Sequence, residues 1–164
     1  TPMNFAPTPL PMMPFLPRFG RRLFLPSCYD QVTYFGYGPQ ESYPDKHRDA
    51  YVDLFTSSVE KLHEDYLRPQ ENGSHWGCTA LAAGTRDGRH LLVSGQEFSF
   101  NASVYTQEEL TEKAHSFELE KSPYTVLCLD GYISGCGSNS CGPRLLEKYQ
   151  VNDEKLSMTF TLEF

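Results

Sequence analysis

Four acidic residues, Glu41, Asp45, Glu71 and Asp130, lie in segments rich in Gly, Pro, Asn and Ser, where backbone turns present side chains to a ligand. Paired carboxylates do general acid and base work. Hydrolysis of a glycosidic bond uses two of them, about 5 Å apart when configuration is retained and roughly 6.5–9.5 Å apart when it is inverted. Spacing alone does not make any two of these four converge, and acidic side chains in turns commonly accept hydrogen bonds from backbone amides instead. The five histidines, at positions 47, 63, 75, 90 and 115, are scattered singly. With neither His-x-x-x-His nor a Cys/His cluster at zinc-ligand spacing, a metal site built wholly from this chain is not expected. His75 beside Trp76 has the chemistry to meet a sugar, because an aromatic face packs on pyranose C–H bonds while imidazole reads hydroxyls. Trp76 also opens an expected strand, where a single tryptophan is ordinarily a core residue.

A second segment of interest runs from Asp130 to Pro143 and reads as a loop. Four glycines (131, 135, 137, 142) among small polar side chains allow the backbone to lie close to a ligand. Cys136 and Cys141 have the spacing of a redox pair, but no lysine or arginine stands nearby to lower a thiol pKa. Neither Gly-x-x-x-x-Gly-Lys nor Gly-x-Gly-x-x-Gly occurs, so nucleotide cofactors are not implied.

The chain around these residues has 164 residues, the length of one domain, and a net charge of -7 with basic residues only in short clusters, which makes nucleic acid an unexpected partner. Apolar runs stay well short of the roughly 20 residues that span a bilayer, and the first residues lack the charged start of a signal peptide, so neither a membrane nor secretion is expected. Five cysteines, an odd number without repeated Cys-x-x-Cys spacing, argue against a disulfide framework, and reduced thiols suit a cytoplasmic location. Cys128 lies in the apolar run Val126 to Leu129 and reads as a small buried hydrophobe.

Half of the twelve prolines fall in the first seventeen residues, interleaved with apolar side chains. Residues 1–15 therefore read as extended chain packed along a surface, and residues 16–164 as the folded domain. Arg22 to Leu25 and Gln31 to Tyr37 read as strands. Trp76 to Ala83 and His90 to Phe100 flank a turn at Thr85 to Arg89, in which Asp87-Gly88 is expected to take positive φ. Lys155 to Phe164 alternates apolar and polar over its whole length and predicts one last strand. Two helices are expected. One lies around Asp49 to Leu62, on loose helical spacing, and the other starts at the capping box Thr106-Gln107-Glu108-Glu109. The class is all-β, a twisted antiparallel sandwich with one or two short helices, and the lack of a fixed-period repeat excludes a propeller or solenoid.

Several longer motifs stand in order along the chain. They are Leu16-Pro17-Arg18-Phe19-Gly20, Tyr37-Gly38-Pro39-Gln40-Glu41-Ser42-Tyr43-Pro44-Asp45, Pro69-Gln70-Glu71-Asn72-Gly73, Phe98 to Tyr105, Leu129-Asp130-Gly131 and the glycine loop ending in Cys141-Gly142-Pro143. In this order the set resembles the C-terminal domain of family 2 β-galactosidases, also called the small chain. The resemblance implies a supersandwich similar to galactose mutarotase, of which this chain is the second half, and hence a fragment. It implies that the catalytic glutamates and a magnesium site belong to a separate barrel, so no catalytic residue and no cofactor is assigned to this chain. It further implies that the loop from Gly135 to Pro143 forms one wall of the active-site pocket on the acceptor side. Many members carry a tryptophan there. Cys141 stands at the matching position, and the loop is one residue shorter, so Ser138, Asn139 and Cys141 are the substrate-binding candidates. The expected partners are the catalytic barrel and other domains of a full β-galactosidase, a galactoside sugar such as lactose, and other copies of the chain, since a sandwich cut in two exposes apolar faces. A non-catalytic carbohydrate-binding or structural module is the alternative, and a mutarotase-like epimerase a more distant one.

Overall fold

A computed structural model of the chain describes the backbone of residues 3–5 and all of residues 15–137 and 144–164. The elements are β1 (Met3–Phe5), β2 (Arg18–Pro26), β3 (Gln31–Gly38), β4 (Tyr51–Ser58), β5 (Ser74–Gly84), β6 (His90–Ser103), α1 (Gln107–Glu112), β7 (Tyr124–Ile133), β8 (Leu156–Met158) and β9 (Phe160–Glu163). Single 3-10 turns follow at Val59–Leu62, Ser116–Glu118 and Glu147–Tyr149. All pairings among these strands are antiparallel. One sheet runs in the order β2-β7-β6-β5-β3-β4, with β9 also on β6, while β1 and β8 pair separately.

This order forces the sheet to roll. Strands β2 and β3 are consecutive and joined only by residues 27–30, yet β7, β6 and β5 lie between them. Four inter-strand gaps in a flat sheet span about 19 Å. The link closes instead in a tight turn, with Tyr29 N–H donating to Pro26 O at 2.9 Å, so the two ends of the sheet face each other. Register shifts in β5 against β6 between His75 and Ala80 mark where bulges supply the bend. The rolled sheet encloses one apolar cluster in which Leu25 and Leu127 from one end meet Val32, Tyr34 and Leu81 from the other, with Phe98 and Phe100 of β6 between them. Alternation along β3 shows the cause: Val32, Tyr34 and Gly36 are buried, while Phe35 on the opposite face is exposed.

Antiparallel all-β architecture with short helices thus holds, and three local expectations change. Tyr51 to Ser58 is a strand and not a helix, paired with β3 along its full length from Gly38↔Tyr51 to Gln31↔Ser58. The helical spacing of Tyr51, Leu54 and Phe55 was a weak guide beside their β-favouring side chains, and helical geometry is confined to the turn at Val59–Leu62. The terminal alternating segment divides at Thr159, β8 serving β1 and β9 serving β6. In the Thr85–Arg89 turn, Gly88 alone takes positive φ, at 88°, because Thr85 Oγ1 accepts from Arg89 N–H and closes a longer loop than a two-residue turn. At α1 the Thr106 hydroxyl accepts from Glu109 N–H at 3.1 Å, whereas the Glu109 carboxylate turns away to accept from Glu120 N–H. Only half of a capping box forms.

Candidate functional site

The segment after β3 is a hub of hydrogen bonds. Glu41, 6% exposed, accepts from Lys46 Nζ, from the Tyr66 hydroxyl and from Gly73 N–H at 2.8 Å. Burial acts to raise its carboxyl, but these three donors outweigh it and hold the group below its ordinary value. Ser42 ties the hub to the sheet. Its N–H donates to Ser74 O, and its hydroxyl donates to Tyr37 O and accepts from Trp76 N–H. Tyr43 and Lys46 exchange backbone hydrogen bonds of 2.8 and 3.0 Å, which closes a tight turn that points Asp45 outward.

Asp45 is the clamp on the glycine loop. Its two carboxylate oxygens accept separately from Cys136 N–H at 2.9 Å and Gly137 N–H at 2.8 Å. Ionised acceptors on backbone amides make bonds about twice as strong as neutral ones. A β-carbon on Gly135 would overlap the Asp45 carboxylate, so this close approach requires glycine there. The neighbouring residues fix both legs of the loop. Ser134 N–H donates to Pro17 O, the Ser134 hydroxyl donates to Leu16 O and accepts from Val151 N–H, and Gly135 N–H donates to Tyr149 O.

A third cluster joins motifs far apart in sequence. Arg18 donates from Nε to Asp130 Oδ1 at 3.1 Å and from Nη2 to Asp130 Oδ2 at 2.5 Å, while its Nη1 donates to Glu71. Burial raises the Asp130 carboxyl to about 6 despite the pull of Arg18. Burial opposes charge on Arg18 too, but the two carboxylates outweigh it and keep the guanidinium protonated. Glu71 and Asp130 therefore converge on one cation with lone pairs engaged. Such a group holds segments together, and it lacks the free pair that bond cleavage at a sugar would use. Asn72, next in the same motif, accepts from Glu64 N–H and donates to Gln70 O, and its own carbonyl accepts from Asn101 Nδ2 of β6.

His75 is buried against the rings of Tyr34, at 4.5 Å, and Phe100, at 5.1 Å, with Nδ1 facing Tyr37 O and Nε2 lacking a partner among the described residues. Burial lowers it to about 4, so it is a neutral core imidazole and not a sugar ligand. Trp76 points the other way. Contrary to the expectation of a core tryptophan, it is only partly buried and lines a surface cleft. The alternation of the strand separates the two neighbours, one inward and one outward.

Of the sequence-derived candidates, Glu41, Asp45, Glu71 and Asp130 all occupy positioning roles, Asp45 on the glycine loop, Glu41 within the hub, and Glu71 and Asp130 on Arg18. Cys28, Cys78, Cys128 and Cys136 are free thiols, with Cys128 buried. The substrate-binding candidates Ser138, Asn139 and Cys141 lie outside the described residues, as does half of the proposed Cys136–Cys141 pair. Among the described residues no cluster of three or more metal-ligating side chains occurs, and no helix is long and apolar enough to cross a membrane. Sequence reasoning missed Arg18, Lys46 and Tyr66 as partners. Arg18 stands in a motif, and Lys46 directly follows one, which was a usable signal. Tyr66 carries none, because only the fold brings it to Glu41.

Comparison with known proteins agrees with this convergence of motifs. The family model for the β-galactosidase small chain matches residues 3–162. The chain is 50% identical over 153 residues to a β-galactosidase of Actinobacillus pleuropneumoniae, 93% of this chain being covered. It is 42% identical over 151 residues to one of Staphylococcus xylosus and 33% identical over 152 residues to one of Kluyveromyces lactis, each covering 92% of this chain. In all three it spans about 15% of the relative's length. A hub of motif residues at one end of a rolled antiparallel sheet, matched from residue 3 to residue 162, shows that the chain belongs to the β-galactosidase small-chain family.

Proposed function

We propose that this chain is the C-terminal segment of a β-galactosidase that hydrolyses terminal β-D-galactosides such as lactose, and that it shapes the acceptor side of the active site without carrying the catalytic glutamates. The Asp45 clamp is the observation that supports it most. Asp45, Gly135 and Ser134 hold the stem of the glycine loop at a fixed place beside the hub. The residues that follow this stem, Ser138 to Cys141, are those that the family resemblance assigns to the acceptor-side wall of the pocket. Among them Ser138 and Asn139 offer hydrogen bonds to sugar hydroxyls, and the Cys141 thiol lacks the broad apolar face of an indole, so affinity for the leaving-group sugar is weaker than with tryptophan there.

On this reading the acid/base and nucleophilic glutamates, with their magnesium, belong to a separate catalytic barrel, and the enzyme works in a reducing, cytoplasmic compartment. The outer face of the rolled sheet is the surface the remaining domains cover. Phe35, Val52, Leu54 and Leu92 are each more than two-fifths exposed and stand on the same face of the sheet, on strands β3 and β4 and, across β5, on β6. The test is complementation. A β-galactosidase chain deleted for the matching segment is mixed with this chain and assayed on a chromogenic β-galactoside. Activity only in the mixture supports the proposal, and activity of this chain alone removes it.

A further inference from the structure

A cleft of about 220 Å³ opens beside Trp76. Three rings meet at Trp76. Tyr37 stacks on Trp76 with centroids 5.2 Å apart and planes 22° apart, His47 lies 4.8 Å from Trp76, and Tyr37 and His47 are 5.3 Å from each other. Three near-equal sides mean that Tyr37 and His47 do not stack on opposite faces of the indole, where they would stand about twice as far apart. The two rings brace the indole, which lines the cleft together with Pro44 and Tyr132.

The polar groups around this cleft suit a polyhydroxylated ligand. Glu97, Lys148 and Asp153 line the cleft and are exposed, and among the described residues Glu97 and Asp153 make no hydrogen bond or ion pair. Glu97 extends beside Gly77, next to the indole. Carboxylates accept from vicinal hydroxyls, an ammonium donates to them, and an indole face packs on the C–H face of a pyranose ring. A volume of about 220 Å³ is enough to seat a single hexose ring.

From this arrangement we infer that the cleft between Trp76, Glu97, Tyr132 and Lys148 is a hexopyranose-binding site, built from residues other than the candidates Ser138, Asn139 and Cys141. One stacking face and a few hydroxyl contacts to a ligand of about a dozen heavy atoms correspond to a dissociation constant on the order of millimolar. Trp76 is the only tryptophan in the chain, so its emission reports this site without interference.

The experiment titrates the 164-residue chain with methyl β-D-galactopyranoside, methyl β-D-glucopyranoside and, as an equal-osmolality control, sorbitol, following Trp76 emission and its quenching by iodide. The expected result is a saturable blue shift with loss of iodide access for at least one glycoside. A Glu97→Gln variant weakens it several-fold and leaves thermal unfolding unchanged, because Glu97 has no hydrogen-bond or ion-pair partner among the described residues. An equal response to both glycosides upholds a general hexopyranose site. A linear change that sorbitol reproduces overturns the inference, and so does saturation that Glu97→Gln and a Lys148→Ala variant both leave untouched. No hydrolysis is read, so this outcome stands apart from that of the complementation assay.

Discussion

His75 carries the clearest consequence of burial for a single residue. Its imidazole is held at about 4 in the folded chain against an ordinary 6.5, so between these values the unfolded chain binds a proton that the folded chain refuses. Its contribution to stability is complete above pH 6.5 and is lost as pH falls toward 4, to a total of up to about 3 kcal/mol. Asp130, raised by burial to about 6, runs the other way, its contribution being lost as pH rises through that value. The readout is therefore the difference between wild type and a His75→Phe variant. Urea unfolding at pH 7.5 and pH 5.5 should show the variant losing less stability on acidification than the wild type. Equal losses would remove His75 from the account. Glu41 allows a second test at this scale. Glu41→Ala strips the acceptor from Gly73 N–H, Tyr66 and Lys46 and is expected to cost about 2–3 kcal/mol in urea unfolding, most of it from the two less exposed donors, because Lys46 is half in water.

At the level of elements, the Asp45 clamp makes a prediction that separates positioning from folding. Removing the carboxylate in Asp45→Ala leaves Cys136 and Gly137 N–H without partners, at a cost of about 1–3 kcal/mol confined to the loop stem. Amide exchange at residues 136 and 137 should rise, while the unfolding midpoint moves little. In the complementation mixture, activity should fall at least tenfold. Gly135→Ala should do the same by pushing the stem away from Asp45, and a variant that exchanges no faster and complements fully would show that the clamp is dispensable. The elements also show what was legible beforehand. The hairpin β5–β6, the start of α1 at Thr106 and the alternation of Val32, Tyr34 and Gly36 were readable because turn chemistry and period-2 patterning are local. Strand β4 was not, since an exposed edge strand lacks the apolar alternation that burial imposes. Nor was the division at Thr159, which depends on two different pairing partners far away in sequence. In the same way the four acidic candidates were visible as residues, but their roles were not. Only the rolled sheet brings Arg18 to Glu71 and Asp130, or Asp45 to Cys136.

For the molecule as a whole, the short link between β2 and β3 rolls the sheet and divides its surface into an enclosed core and an outer apolar face at Phe35, Val52, Leu54 and Leu92. We propose that such a face, next to the open edge of β4, is where other domains dock and where copies of the isolated chain meet. Sedimentation of the isolated chain should show concentration-dependent association that a Leu54→Lys variant reduces, whereas a strictly monomeric wild type would contradict this use of the face. The family match and the 15% share of its relatives' length agree with a segment that works inside a larger enzyme. The most direct test of that claim is β-galactoside hydrolysis measured on this chain, on a β-galactosidase chain deleted for the matching segment, and on the two mixed. The account predicts no hydrolysis by this chain alone and hydrolysis in the mixture that depends on Asp45. Hydrolysis by this chain alone, or a deleted chain whose activity the mixture does not raise, would contradict it.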